Sequence, residues 1–155
     1  MIKKEIYLIL DNIRSRENVG SIFRTADGAG VSKIYLCGIT PQPPHPKIEK
    51  ASLGAENFVP YEYIRNTWRV VTALKKDGVA ILGLEQAKDS VNLFNFKLSG
   101  NKSWAIIVGN EVNGISPKIL KYCDKVVEIP MSGKKESLNV SVAVGVALYQ
   151  LMHTN

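Results

Sequence analysis

The sequence predicts an α/β protein, a mostly parallel sheet flanked by helices. Short continuous apolar runs at residues 6–10, 79–84 ("VAILGL") and 104–109 ("WAIIVG") have the length of strands without the alternation of a half-exposed one, so they read as strands covered on both faces. Segments with apolar residues at helical spacing lie between such runs, and a helix between two strands brings them back parallel. At 155 residues and 45% hydrophobic content, the chain is sized for one domain with a sizeable core.

The first strand, residues 6–10, runs into a polar loop, "DNIRSREN", and then a helix with Val19, Ile22, Phe23 and Ala26 on one face. Asn18 is a natural N-cap for that helix, and Gly28 and Gly30 are placed to stop it. "VSKIYLCG" follows as a second buried strand, completing a βαβ unit. The Pro-dense "TPQPPHPK" (40–47) reads as a surface loop, because prolines lack the N–H that a ladder needs. Next come a short helix at 48–55, a strand at 58–63, and a helix carrying Trp68, Val71 and Leu74 that Gly78 closes before "VAILGL". After "WAIIVG" stand the loop "NEVNGIS", a short helix opening at Pro117, the strand "KVVEIP" (125–130), the loop "MSGKKES" and a C-terminal helix from about Asn139. Strands therefore end near Leu84, Gly109 and Ile129, and ligands of open α/β sheets bind outside such carboxyl ends.

Lys and Arg outnumber Asp and Glu by 20 to 14, a formal net charge of +6, with a sequence pI near 9.3. That excess suits an anionic partner such as RNA, and suits plain solubility equally well. Cys37 and Cys123 lie far apart and His45 and His153 are isolated, so neither a zinc site nor a disulfide framework is legible, and a reduced, cytoplasmic protein is expected. In "MIKKEIYLIL" two lysines precede an apolar stretch, but Asp11 and Asn12 stop it well short of a signal peptide or a membrane span. A nicotinamide site would need G-x-G-x-x-G between the first strand and its helix, where only Gly20 stands, and neither a phosphate-binding G-x-x-x-x-G-K-[ST] nor a G-x-S-x-G elbow occurs.

Three segments carry polar residues beyond what folding asks for. Arg24 stands four residues after Gly20, where a glycine would leave open space beside the guanidinium; the plainer alternative pairs it with Asp27. Asn110 and Glu111 between Gly109 and Gly114 make a loop able to approach a ligand through its backbone, or one that Asn113 and Gly114 merely turn. In "ESLNVS", Ser137 or Asn139 could serve as a helix cap.

Taken together, N-x-G-x-x-x-R (Asn18, Gly20, Arg24), V-G-x-E-x-x-G (Val108, Gly109, Glu111, Gly114) and I-P-M-x-G-x-x-x-S-L-N-V-S (129–141) resemble the three motifs of the SpoU, or TrmH-like, ribose 2′-O-methyltransferases of the SPOUT class. The resemblance covers nearly the whole chain. It implies a single catalytic domain over 1–155, with a trefoil knot in the cofactor-binding part from about 79 to 155. It implies methyl transfer from S-adenosylmethionine to a ribose 2′-hydroxyl of RNA, leaving S-adenosylhomocysteine, with no metal. tRNA is the favoured substrate; rRNA remains open, and so does a non-catalytic RNA-binding relative, which would be expected to lack Arg24, Asn18 or the "SLN" segment.

Carried over residue by residue, the resemblance places cofactor contacts at Leu84, Gly109, Ile129, Ser137 and Leu138, with Glu111 organising the same loop by accepting backbone or Asn hydrogen bonds. Asn18 becomes a positioning residue, Asn139 and Ser137 hold the cofactor end of the catalytic site, and Arg24 is the residue often discussed as general base. Deprotonating an arginine near neutral pH costs roughly 7 kcal/mol, which favours a charged guanidinium gripping a phosphate and stabilising the developing alkoxide. RNA phosphates would be held by Arg14, Arg16, Lys47, Lys50, Lys134 and Lys135, all expected in loops around the pocket. Such proteins usually dimerise, and "VSVAVGVALYQLM", apolar around its whole circumference, suits a helix buried between core and partner.

Overall fold

The computed structural model describes residues 4–154; Lys3, one of the two lysines ahead of the first strand, lies outside them. Strands β1 (Ile6–Asp11), β2 (Lys33–Cys37), β3 (Tyr61–Ile64), β4 (Ala80–Leu84), β5 (Val91–Asn92), β6 (Trp104–Gly109) and β7 (Lys125–Glu128) form one sheet in the order β3-β2-β1-β6-β4-β7-β5. Every neighbouring pair is parallel. β6 and β4 are buried along nearly their whole length, as continuous apolar runs between two helical layers should be.

Helices α1 (Arg16–Ala29), α2 (Pro46–Ser52) and α5 (Val140–His153) cover one face, where Leu8, Phe23, Ile48, Leu82, Ile106 and Leu148 share a core. Helices α3 (Thr67–Lys76) and α4 (Pro117–Leu120) cover the other, over Ile9, Val71, Ile81, Ile107 and Ile119. Alternate residues of β1, β4 and β6 thus feed opposite cores, and all carboxyl ends point the same way.

Local signals departed from expectation in instructive places. Ser15, not Asn18, caps α1: its side chain accepts from the Asn18 N–H at 3.1 Å, which leaves the Asn18 amide free for a longer-range contact. Gly28 does not stop the helix but lies inside it, and Gly30 (φ 83°) is the left-handed cap. The strand expected at 58–63 is Tyr61–Ile64, because residues Ala55–Asn57 form a 3₁₀ turn first. The two-residue β5 carried no periodicity long enough to read.

Gly20 does not open space beside Arg24. A Cβ there would collide with the Ile48 carbonyl and come to 2.8 Å from the Ala51 Cβ, so Gly20 sets the close approach of α1 to α2. Gly20→Ala should therefore lower stability by about 1–3 kcal/mol through overpacking, read as a drop in Tm; an unchanged Tm would contradict this packing.

Candidate functional site

A cavity of about 420 Å³ opens at the carboxyl ends of β4, β6 and β7. Leu84, Gly109, Glu111, Ile129, Ser137 and Leu138 all line it, as does Asn139. Ile129 lies one residue past the end of β7, and the loop from β7 to α5 folds back over the opening. Val108, Val140 and Ala143 supply further apolar wall.

The loop after β6 is built from the inside. The Asn110 side-chain oxygen accepts the Val112 and Asn113 N–H groups at 2.9 and 3.0 Å, and the Gly114 N–H donates to the Asn110 carbonyl at 2.8 Å. Gly114 takes φ 67°, a region that favours glycine, and a side chain on Gly109 would run into the Gly114–Ile115 backbone. Glu85 clamps the far end, accepting the Ile115 N–H at 2.7 Å.

A chain of hydrogen bonds then joins the three motif segments. Glu111 accepts the Arg14 and Ser15 backbone N–H groups at 2.9 and 3.0 Å and the Asn18 side-chain amide at 3.1 Å. The Asn18 Oδ1 accepts from the Asn139 amide at 3.1 Å. Asn139 meanwhile caps α5, its Oδ1 accepting the Ser141 N–H at 2.9 Å, so its amide nitrogen can only face Asn18. Cap and site contact are therefore one side chain doing both. α1 and α5 stay close along this line: Thr25 touches the Gly145 position, and a Cβ on Gly28 would come to 2.9 Å from the Tyr149 hydroxyl.

Three carboxylates, from Glu85, Glu111 and Glu128, line the cavity, and no Lys or Arg does among the described residues. Asn110, expected in the loop that approaches a ligand, lines the cavity too, whereas Glu85 and Glu128 escaped the sequence reading, since nothing in a lone acidic residue at a strand end marks it as wall. Arg24 is exposed, lies outside the cavity and forms no ion pair among the described residues, with Asp27 or any other acid. Six residues along α1, about 9 Å at 1.5 Å per residue, separate it from Asn18. The expected RNA contacts are all exposed, but not all in loops: Arg16 opens α1 and Lys47 and Lys50 ride on α2, whereas Arg14, Lys134 and Lys135 are in loops. Burial pushes the Cys37 thiol up to about 12 and the Cys123 thiol to about 11. No three-residue metal cluster and no helix long and apolar enough to cross a membrane occur among the described residues.

A parallel sheet with a carboxylate-lined cavity at its strand ends places the chain among the α/β proteins that take a ligand at that edge. Within that class, the chain belongs to the SpoU rRNA Methylase family, whose sequence profile matches residues 5–149. It is 33% identical over 147 residues to the 23S rRNA (guanosine-2'-O-)-methyltransferase RlmB of Xanthomonas axonopodis pv. citri, covering 95% of this chain and 58% of that protein. It is 34% identical over 154 residues to the tRNA (guanosine(18)-2'-O)-methyltransferase of Aquifex aeolicus, covering 96% and 69%. The crystal structure of an AdoMet-bound rRNA methyltransferase from Sinorhizobium meliloti superposes with a TM-score of 0.89 at 30% identity, covering 96% of this chain and 56% of that one. The chain thus spans well under two thirds of the rRNA relatives.

Partial burial pushes the Glu111 carboxyl up, but the N–H donors of Arg14, Ser15 and its own backbone, with the Asn18 amide, outweigh it and leave the group below the usual glutamate range. A carboxyl whose folded pKa is lowered stabilises above its unfolded value and loses that contribution as pH falls through the folded one. Glu111→Gln should lower Tm at neutral pH and flatten its decline on acidification from about pH 5 to 3; thermal melts with identical acid slopes would contradict this. Asn139→Ala, which removes a cap, should cost about 1 kcal/mol by denaturant unfolding.

Proposed function

We propose that this chain transfers a methyl group from S-adenosylmethionine to a ribose 2′-hydroxyl of RNA, tRNA first and rRNA second. The observation that carries this reading is the cavity itself. A dinucleotide or nucleoside triphosphate would bring phosphates to three carboxylates with no cation in the wall, an unfavourable pairing. S-adenosylmethionine carries no phosphate and two positive centres, and its adenosine suits the apolar wall of Leu84, Val108 and Ile129. When bound, it supplies a methyl already activated on a sulfonium.

What remains for the protein is alignment and proton management. Asn139 and Ser137 hold the cofactor end of the site. Asn18, not itself a lining residue, bridges Glu111 and Asn139, which are, and so positions both. Arg24 acts as a charged clamp on phosphate and alkoxide when RNA covers the α1 side, and Arg14, Arg16, Lys47, Lys50, Lys134 and Lys135 hold flanking phosphates. The reading includes a single catalytic unit, threaded as a trefoil knot from about residue 79. It also includes a homodimer, since α5 leaves Val142 and Tyr149 51% and 46% exposed on an apolar helix.

Labelled methyl from S-adenosylmethionine should appear in 2′-O-methylnucleosides from unmodified tRNA or rRNA pools; cofactor binding without transfer to either would sink the enzymatic reading. Arg24→Ala should abolish turnover while Arg24→Lys keeps most of it, and equal loss in both would restore the base role. Sedimentation should report a dimer; a monomer contradicts that element.

A further inference from the structure

A second cavity, of about 580 Å³, opens at the same carboxyl edge over the opposite layer of the sheet, between β1 and the starts of α3 and α4. One hydrogen bond divides the two: the Asn110 amide, in the wall of the first, donates to the carbonyl of Asn12, in the wall of the second, at 2.9 Å. The second cavity inverts the charge of the first. Arg65, Arg69 and Lys118 line it, all exposed and none in an ion pair among the described residues. Trp68, 37% exposed and braced edge-on by Tyr122 with centroids 6.3 Å apart, offers an aromatic surface beside them.

Its floor is a carboxylate. Asp11, at the end of β1, is only 3% exposed; its Oδ1 accepts the Thr67 hydroxyl at 2.6 Å and the Asn12 amide at 3.3 Å, while Oδ2 receives no hydrogen bond from the described residues. Oδ2 is not among the fully buried polar atoms left without a partner, so it keeps a little open surface at the cavity floor from which to accept a donor. Inorganic phosphate would satisfy the three cations and be repelled by Asp11, and a cationic ligand would do the reverse. A nucleotide has both halves, an anionic phosphate for the rim and N–H or O–H donors for the floor, with a flat base for Trp68.

We propose that this cavity receives a single-stranded nucleotide of the substrate RNA flanking the methylated one, phosphates on Arg65, Arg69 and Lys118, base on Trp68 and its donor edge on Asp11. The assignment rests on the methyltransferase reading, and adds a second subsite that the strand reaches by crossing the Asn12–Asn110 divide.

The test is fluorescence anisotropy of a labelled mixed-purine hexaribonucleotide on the full chain across a salt series, with calorimetric S-adenosylmethionine binding as a check that the first cavity is intact. Arg65→Ala/Arg69→Ala should weaken the hexamer at least tenfold and reduce the log–log salt slope by about 1.4, at about 0.7 per lost phosphate contact. Trp68→Ala should weaken it about fivefold or more while Trp68→Phe retains most affinity. Wild-type affinity in these variants, or an abasic hexamer bound as tightly, would overturn the subsite; adenosine monophosphate bound as tightly as the hexamer would overturn the RNA assignment in favour of a free nucleotide. Methyl transfer with unaffected variants removes the subsite alone, whereas the expected binding pattern without any methyl transfer removes the enzymatic reading and leaves the subsite standing.

Discussion

One carboxylate, that of Glu111, holds the mouth of the first cavity in shape. It gathers two backbone N–H groups from the loop after β1 and the amide of Asn18, 93 residues away in the chain, and Asn18 in turn accepts from Asn139, 121 residues from Asn18. An ionised carboxylate can accept several such bonds at once and each is stronger for its charge, so a single side chain can organise three segments beyond the ends of the sheet ladders. The orientation of both asparagines follows from it, because a carboxylate accepts only and α5 takes the remaining oxygen of Asn139. Move that charge and the site loses its frame, while the cores on either face of the sheet keep theirs.

The sheet supplies the other half of the design. With every pair parallel, all carboxyl ends lie on one edge, and both cavities form there, one on each layer. Their opposite electrostatics divide the work. The acidic, phosphate-excluding wall suits a cationic cofactor, and the basic rim over an acidic floor suits one unit of a polyanion. Three of the fourteen acidic residues line the first cavity, whereas Arg65, Arg69 and Lys118 stand on the rim of the second, so the net charge of +6 is unevenly shared between them.

Much of the architecture was legible because buried parallel strands and amphipathic helices announce themselves through unbroken apolar runs and helical spacing. Strand β6 matched residue for residue, and Gly30 and Gly78 (φ 83° and 84°) both fell where helices close. Errors came where two local signals competed. Asn18 was expected to cap α1, but Ser15 does so, and the Asn18 side chain bonds Glu111 and Asn139 instead. Gly20 and Gly28 looked like an opening and a stop, but each is glycine because another helix comes close.

Asn18, Glu111, Ser137 and Asn139 stood out through their resemblance to the three motifs of the family, since each could be explained by itself as a cap or a turn. Their geometry was not legible, since contacts between residues 93 to 121 apart leave no trace in local spacing. The basic cavity was hidden for the same reason: Arg65, Arg69 and Lys118 are scattered along the chain, and Asp11 reads as an ordinary strand end until its burial is seen. By itself the sequence determined the element types, the parallel sheet and the family, because these depend on periodicity and on residue identity. Only the tertiary structure decided which polar groups meet, because burial and hydrogen-bond pairing are properties of the folded edge where distant segments converge.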